Sequence, residues 1–188
     1  RNIYDFGFKI NESKVVESFQ NIESGKSKAI LTLDDGKKID LLEEKNFNLE
    51  SEETKIIGGG NSITYLQKTS DAKNLKYNTL KTPRGAEFFL TLSDSTKVWL
   101  NADSKLKYPV VFLRDRRIVE LTGEAFFEVM PNQDKPFQVI SGDQIIEVLG
   151  TSFNVTSYED DAEVVTTLIE GKVNVNQRFG DKKSILLS

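Results

Sequence analysis

From Thr82 to Val175 the chain reads as one short alternating stretch after another, with no room between them for a helix of a dozen residues. Apolar side chains recur at every second position in Phe88/Leu90/Leu92, Val98/Leu100, Val119/Leu121, Ala125/Phe127/Val129, Phe137/Val139, Ile146/Val148, Phe153/Val155, Val164/Thr166/Leu168 and Val173/Val175. A period of two puts one row of side chains on each face of a strand. Turn clusters separate the stretches at Ser93 to Thr96, Arg114 to Arg117, Pro131 to Lys135, Ser141 to Asp143 and Glu159 to Asp161. Parallel α/β folds need long crossovers and are therefore excluded. The expected fold is mainly β, an antiparallel meander forming a sandwich or roll, with an irregular solenoid as the minor alternative.

The segment before Thr82 is less regular. Residues 1–28 form a lead-in without a firm period, in which Ser13 to Gln20 could make two weak helical turns. Residues 29–81 form an N-terminal β region, and residues 82–188 the main β domain, the two packing as one unit or side by side. In the first region Ala29 to Leu42 reads as a hairpin around Asp35-Gly36. Glu43 to Thr54 is highly charged and reads as a solvated excursion; Gly58-Gly59-Gly60 reads as a turn before a short strand at Ser62 to Leu66.

Two internal echoes stand out. LTLDDGKKIDL, from Leu31, resembles LTLSDSTKVWL, from Leu90. A glycine-centred unit recurs as LTGEAFFEV, VLGTSFNV and LIEGKVNV around Gly123, Gly150 and Gly171. These glycines are expected at equivalent bends, where a Val would cost on the order of 1 to 3 kcal/mol if φ is positive or the backbone closely packed.

Composition narrows the chemistry. The chain has no His and no Cys, which removes imidazole and thiolate catalysis, Ser-His-Asp triads and the usual structural zinc sites. No cofactor is expected. With 25 basic against 29 acidic residues the net charge is -4, and no one-sided basic surface is evident for nucleic acid. No stretch approaches the 20 or so apolar residues of a membrane helix. The chain begins at Arg1 without a Met or a signal peptide, and reads as a piece of something longer.

What remains are weak candidates. Glu120, Glu124 and Glu128 could serve carboxylate hydrolysis, but alternation places Glu124 and Glu128 on a solvated strand face. Asp34-Asp35-Gly36 and Glu159-Asp160-Asp161 lack the spacing of a calcium loop and suit hairpin turns instead. Lys105, Lys107, Arg114, Arg116 and Arg117 surround the apolar run Pro109 to Leu113 and read as the guard of an exposed sheet edge. Pro83 and Gly85, flanking Arg84, mark a turn and not a phosphate loop. Trp99 is a sugar platform or hot spot if exposed, with burial between layers the favoured expectation. Asn11 and Asn154 open glycosylation-type triplets of no diagnostic weight.

The ordered motifs TPRG (Thr82 to Gly85), LTLSDSTKVWLNA (Leu90 to Ala102), VELTGEAFFEV (Val119 to Val129), KPFQV (Lys135 to Val139), VLGTSFNV (Val148 to Val155) and TTLIEGKV (Thr166 to Val173) resemble the FecR family of sigma-factor regulators. Within them Pro83, Arg84, Gly85, Trp99, Asn101, Gly123, Glu124, Gly150, Phe153 and Gly171 are the motif residues, and the resemblance supplies no catalytic residue. It implies the periplasmic portion of a single-pass inner-membrane anti-sigma regulator. Its partners would be the signalling domain of a TonB-dependent transducer, met through a C-terminal domain beyond this chain, and a sigma factor met through a cytoplasmic segment also beyond it. Contact with the membrane would run only through an anchor outside these residues. Within this chain, Lys172, Val173, Asn174 and Val175 form the candidate partner edge, by strand addition. A carbohydrate-binding β-sandwich is the alternative reading, and a carboxylate glycosidase a distant third.

Overall fold

Residues 29–41, 46–68, 74–179 and 184–188 are described by the computed structural model of the chain. Over them the alternating pattern becomes sixteen strands and no helix: β1 (Ile30–Thr32), β2 (Lys38–Asp40), β3 (Asn46–Glu50), β4 (Thr54–Gly59), β5 (Ser62–Gln67), β6 (Tyr77–Lys81), β7 (Phe88–Thr91), β8 (Lys97–Leu100), β9 (Lys105–Pro109), β10 (Arg117–Glu128), β11 (Phe137–Ser141), β12 (Gln144–Val148), β13 (Ser152–Ser157), β14 (Val165–Glu170), β15 (Val173–Gln177) and β16 (Ser184–Leu187). The expected all-β class holds. The lead-in lies outside the described residues.

One strand organises the rest. The first half of β10 pairs with β9 and, in parallel, with β11; its second half pairs with β8 and β13. One sheet therefore runs β2-β1-β6-β9-β10-β11-β12-β15-β16. The other runs β3-β4-β5-β7-β8-β10-β13-β14. Together they form one continuous sheet curled upon itself through β10. The meander is not purely antiparallel, because β10–β11 and β5–β7 are parallel pairs.

The two layers close on a single core. Leu31, Leu80, Leu106, Val119, Val139 and Ile146 come from the first sheet, and Ile63, Leu90, Val98, Leu100, Ala125 and Phe153 from the second, all at 1% exposure or less. Each large apolar side chain so buried contributes roughly 1.5 to 3 kcal/mol. Aromatic rings stitch the layers together: Phe127 stacks on Phe153 at 5.2 Å and meets Phe137 of the opposite sheet at 6.1 Å. Tyr65 of β5 and Tyr108 of β9 meet edge to face, with their hydroxyls 3.0 Å apart. The Asn78 amide donates to the Tyr65 oxygen at 2.6 Å, so the polar tips are satisfied inside the core. Burial pushes the Tyr65 phenol up to about 12 and raises that of Tyr108 as well.

The structure corrects several boundaries. The stretch read as a solvated excursion contains β3, whose Phe47 and Leu49 are half-buried between exposed Asn46, Asn48 and Glu50. Two of the three glycines read as a turn belong to β4. Gly58 leaves the space that the Phe47 ring occupies, and Gly60, with φ +56°, makes the actual turn. Strands β6, β9 and β16 did not show in the sequence pattern. Conversely, the stretches on either side of Gly123 are a single strand of 12 residues.

The echo from Leu31 and Leu90 is structural. Both segments are hairpins closed by the same pair of backbone bonds, Leu33 N to Lys37 O with Gly36 N to Leu33 O, and Leu92 N to Thr96 O with Ser95 N to Leu92 O, all 2.9 Å. An Asp oxygen accepts the amide two residues on in each, at 2.9 Å for Asp35 and 3.0 Å for Asp94. The glycine echo is not. Gly123 lies inside β10 with φ +92°, Gly150 lies between β12 and β13, and Gly171 lies between β14 and β15 with φ +101°. A solenoid coil is therefore absent from the described residues.

Candidate functional site

The motif residues gather first where β10 passes from one sheet to the other. A Cβ on Gly123 would stand 2.7 Å from the Ser104 backbone, so only glycine admits both the positive φ and this approach. Ser104 Oγ accepts from Glu124 N at 2.8 Å and donates to Ala102 O at 2.9 Å. Thr82, fully buried, donates its backbone N–H to Ser104 O at 2.9 Å, and its hydroxyl accepts from Ser104 N at 3.1 Å while lying 2.5 Å from Asn101 O and 3.2 Å from Ser104 O. Pro83 O accepts from Ala86 and Asp103, Gly85 supplies φ +75°, and the exposed Arg84 pairs with Asp103 at 3.0 Å. From the far side the Tyr158 hydroxyl donates to Ala102 O at 3.1 Å, and partial burial raises its phenol pKa. This corner fixes the geometry of the sheet crossing.

A second cluster locks the β7–β8 turn to the body. Arg117 is 1% exposed, which corrects its place among the edge-guarding cations. Its Nη1 donates to Asp94 Oδ2 at 2.7 Å and to Met130 O at 2.8 Å, its Nε donates to Lys135 O at 2.8 Å, and its guanidinium lies 5.4 Å from the Phe137 ring centre. Thr96 completes the lock, donating to Asp94 at 2.7 Å and accepting from Met130 N at 3.2 Å. The ammonium of Lys135 donates to Phe112 O at 2.5 Å; burial and then the neighbouring Arg117 lower its pKa. Lys105 and Lys107 also guard no edge, because β9 lies between β6 and β10.

A third cluster sits around Thr151. A Cβ on Gly150 would fall 2.7 Å from Pro131 Cα, and one on Gly171 would fall 2.8 Å from Thr151 Oγ1. Thr151 in turn donates to Lys172 O at 2.8 Å. Phe153 follows immediately, buried against Phe127. The strand holding Val173, Asn174 and Val175, entered from Lys172, is not an edge: β12 pairs with one side of it and β16 with the other. The free edges among the described strands are those of β2, β3, β14 and β16.

The remaining motif residues meet on the outer face of the second sheet, and this is the candidate site. The register sets Phe89, Trp99, Phe126 and Asn154 side by side across β7, β8, β10 and β13. Trp99 is 39% exposed, contrary to the expected burial, because no layer of the described strands covers that face. Its ring lies 4.9 Å from Phe89 and 5.3 Å from Phe126. Beside the rings the Glu124 carboxylate is clamped: Asn101 Nδ2 donates to Oε2 and Asn154 Nδ2 to Oε1, both at 2.8 Å. Asn61 and Glu87 complete an open cavity of about 340 Å³. Phe89 and Phe126 could have been found by extending the alternation outward from Trp99.

The carboxylates of the hydrolase reading serve cross-strand bonds instead. Glu124 holds two amides, Glu128 pairs with Lys97 at 2.9 Å and Glu120 with Lys107 at 3.1 Å. Asp35 accepts the Lys37 amide within its own turn, and Asp34 accepts the Tyr77 amide of β6. Among the described residues no group of three or more acidic side chains could hold a metal ion, and no helix is long and apolar enough to cross a membrane.

A family model described as FecR protein matches residues 78–174. Two crystal structures described as of a candidate anti-sigma factor from Parabacteroides distasonis ATCC 8503 are similar to this chain. One, at 2.50 Å resolution, has 37% identity and TM-score 0.56, covering 59% of this chain and 51% of its own; the other, at 1.65 Å, has 38% and 0.55, covering 58% and 50%. The match thus spans about half the length of those relatives. No curated protein matches the chain.

Proposed function

This chain belongs to the FecR family, and from that premise we propose that it is the periplasmic signal-relay module of a transmembrane anti-sigma regulator. It would couple a TonB-dependent outer-membrane transducer to an extracytoplasmic-function sigma factor. The observation that carries the reading is the family match over residues 78–174, together with the likeness to solved structures described as candidate anti-sigma factors. The geometry agrees with it. Most of the motif residues serve to fix β10, the sheet crossing and the turns, which is what a body transmitting force or position between two ends requires. The role is regulatory and not enzymatic.

In this reading the sigma factor is met through a cytoplasmic segment, the membrane through an anchor, and the transducer through a C-terminal domain, all outside residues 1–188. Specific interfaces bury roughly 1,200 to 2,000 Å², and β15 is already paired on both sides. Calorimetric titration against a cognate transducer signalling domain tests this. The 188-residue chain should bind weakly or not at all, and a chain extended past Ser188 should bind it. Equal affinity would place the receptor contact within these residues.

A further inference from the structure

We infer that the outer face at Trp99 receives a cationic side chain, an arginine presented by a protein partner. The cavity is lined by two carboxylates, Glu87 and Glu124, by the amides of Asn61, Asn101 and Asn154, and by the rings of Phe89, Trp99 and Phe126, with no Lys or Arg among them. Lys97, one row along the same face as Trp99, is ion-paired at 2.9 Å with Glu128 and does not line the cavity. The cavity therefore carries uncompensated negative charge next to an exposed indole, the combination that attracts a cation through both Coulomb and cation–π terms.

Hydrogen bonding points the same way. The Nδ2 groups of Asn101 and Asn154 donate to Glu124, and Asn101 Oδ1 accepts from Ala102 N at 2.7 Å. Two of the three amides that line the site thus spend a donor on the fold, and against the Asn61 amide and the Trp99 indole N–H stand the acceptors of both carboxylates, Glu87 and the remaining lone pairs of Glu124. A guanidinium has five donors and no acceptor, whereas a sugar hydroxyl needs both kinds of partner. The two amide bonds also hold the Glu124 carboxylate in place before any ligand arrives, which reduces the ordering cost of binding. The inference concerns this face alone and is independent of which receptor a longer chain meets.

Trp99 is the only tryptophan in the chain, so its fluorescence reports on this site directly. The test titrates the chain with acetyl-Gly-Arg-Gly amide into the millimolar range, against the same peptide carrying neutral citrulline and against a β-linked glucose hexamer. A saturable change in Trp99 emission is expected with the arginine peptide alone. Glu87→Gln should weaken it about threefold and Glu124→Gln about tenfold, and added salt should weaken it further. Glu87 makes no cross-strand bond, so its variant should melt as the parent does and keeps the test valid if Glu124→Gln folds poorly. An equal response to citrulline, no response to arginine, or a response to the glucose hexamer would each overturn the inference, the last in favour of a sugar platform.

Discussion

The β1–β2 and β7–β8 hairpins share six of eleven residues and end with different duties. Each buries its first leucine, Leu31 or Leu90, completely, and each closes with the same bonds. Two aligned positions take on different roles. Asp35 serves only its own turn, while Asp94 also receives Arg117 from the central strand at 2.7 Å. Where the first hairpin has Asp40, the second has Trp99, which joins a row of three rings. Local sequence is enough to make a hairpin; its neighbours decide whether it becomes an edge or a working face. The β1–β2 hairpin has β6 on one side and a free edge on the other, whereas β7–β8 is flanked by β5 and β10.

The sharpest way to break the difference is to break the strand that creates it. Gly123→Val combines a positive φ with overlap against the Ser104 backbone, and should cost about 4 kcal/mol or more, read as loss of cooperative unfolding in urea. Arg117→Ala should cost about 3 to 5 kcal/mol, because it leaves Asp94 and two carbonyls without their buried partner. Asp35→Ala, the matching probe of the other hairpin, should shift the same urea midpoint by about 0.5 to 1 kcal/mol only.

Tyr65→Phe strands Asn78 and Tyr108 and should cost about 1 to 3 kcal/mol at neutral pH. It should also change the alkaline limb. Burial raises the Tyr65 phenol from 10.0 to about 12, so its protonated form is favoured by folding. That stability is complete below pH 10 and is lost as pH rises through about 12. The parent chain should therefore lose stability across this window, and the Phe variant should lose less of it. At the smallest scale the turns can be exchanged: Gly36→Ala should cost about 1 kcal/mol, and Ser95→Gly, at φ +70°, should gain about 0.5 kcal/mol. Thermal melts of the two variants should move in opposite directions.

The outer rows of the fold were legible because alternation over four or more residues leaves little choice of face. Ala125, Phe127 and Val129 turn inward as read, with Glu124 and Glu128 outward. The same parity, carried back to Arg117, places it inward, and its charge alone hid this. Strands β3 and β4 were obscured because each has few apolar positions, and Gly58 serves packing against Phe47 where its type suggests a turn. Gly123 misled in the same way, marking a change of sheet within a strand instead of an end. The exposure of Trp99 depends on whether a third layer covers it, and no local pattern carries that information. The edge assigned to Lys172 through Val175 failed for a related reason, since its outer partner β16 has only four residues.

Strand β10 makes the two sheets one body, which a relay needs if displacement at one end is to reach the other. Native-state hydrogen exchange measures this by residue. Amides of Arg117 to Thr122 and of Gly123 to Glu128 should open with the same free energy, equal to that of global unfolding, while β3 and β16 exchange far sooner. Separate opening energies on the two sides of Gly123 would mean two bodies joined by a hinge, and would contradict the single body.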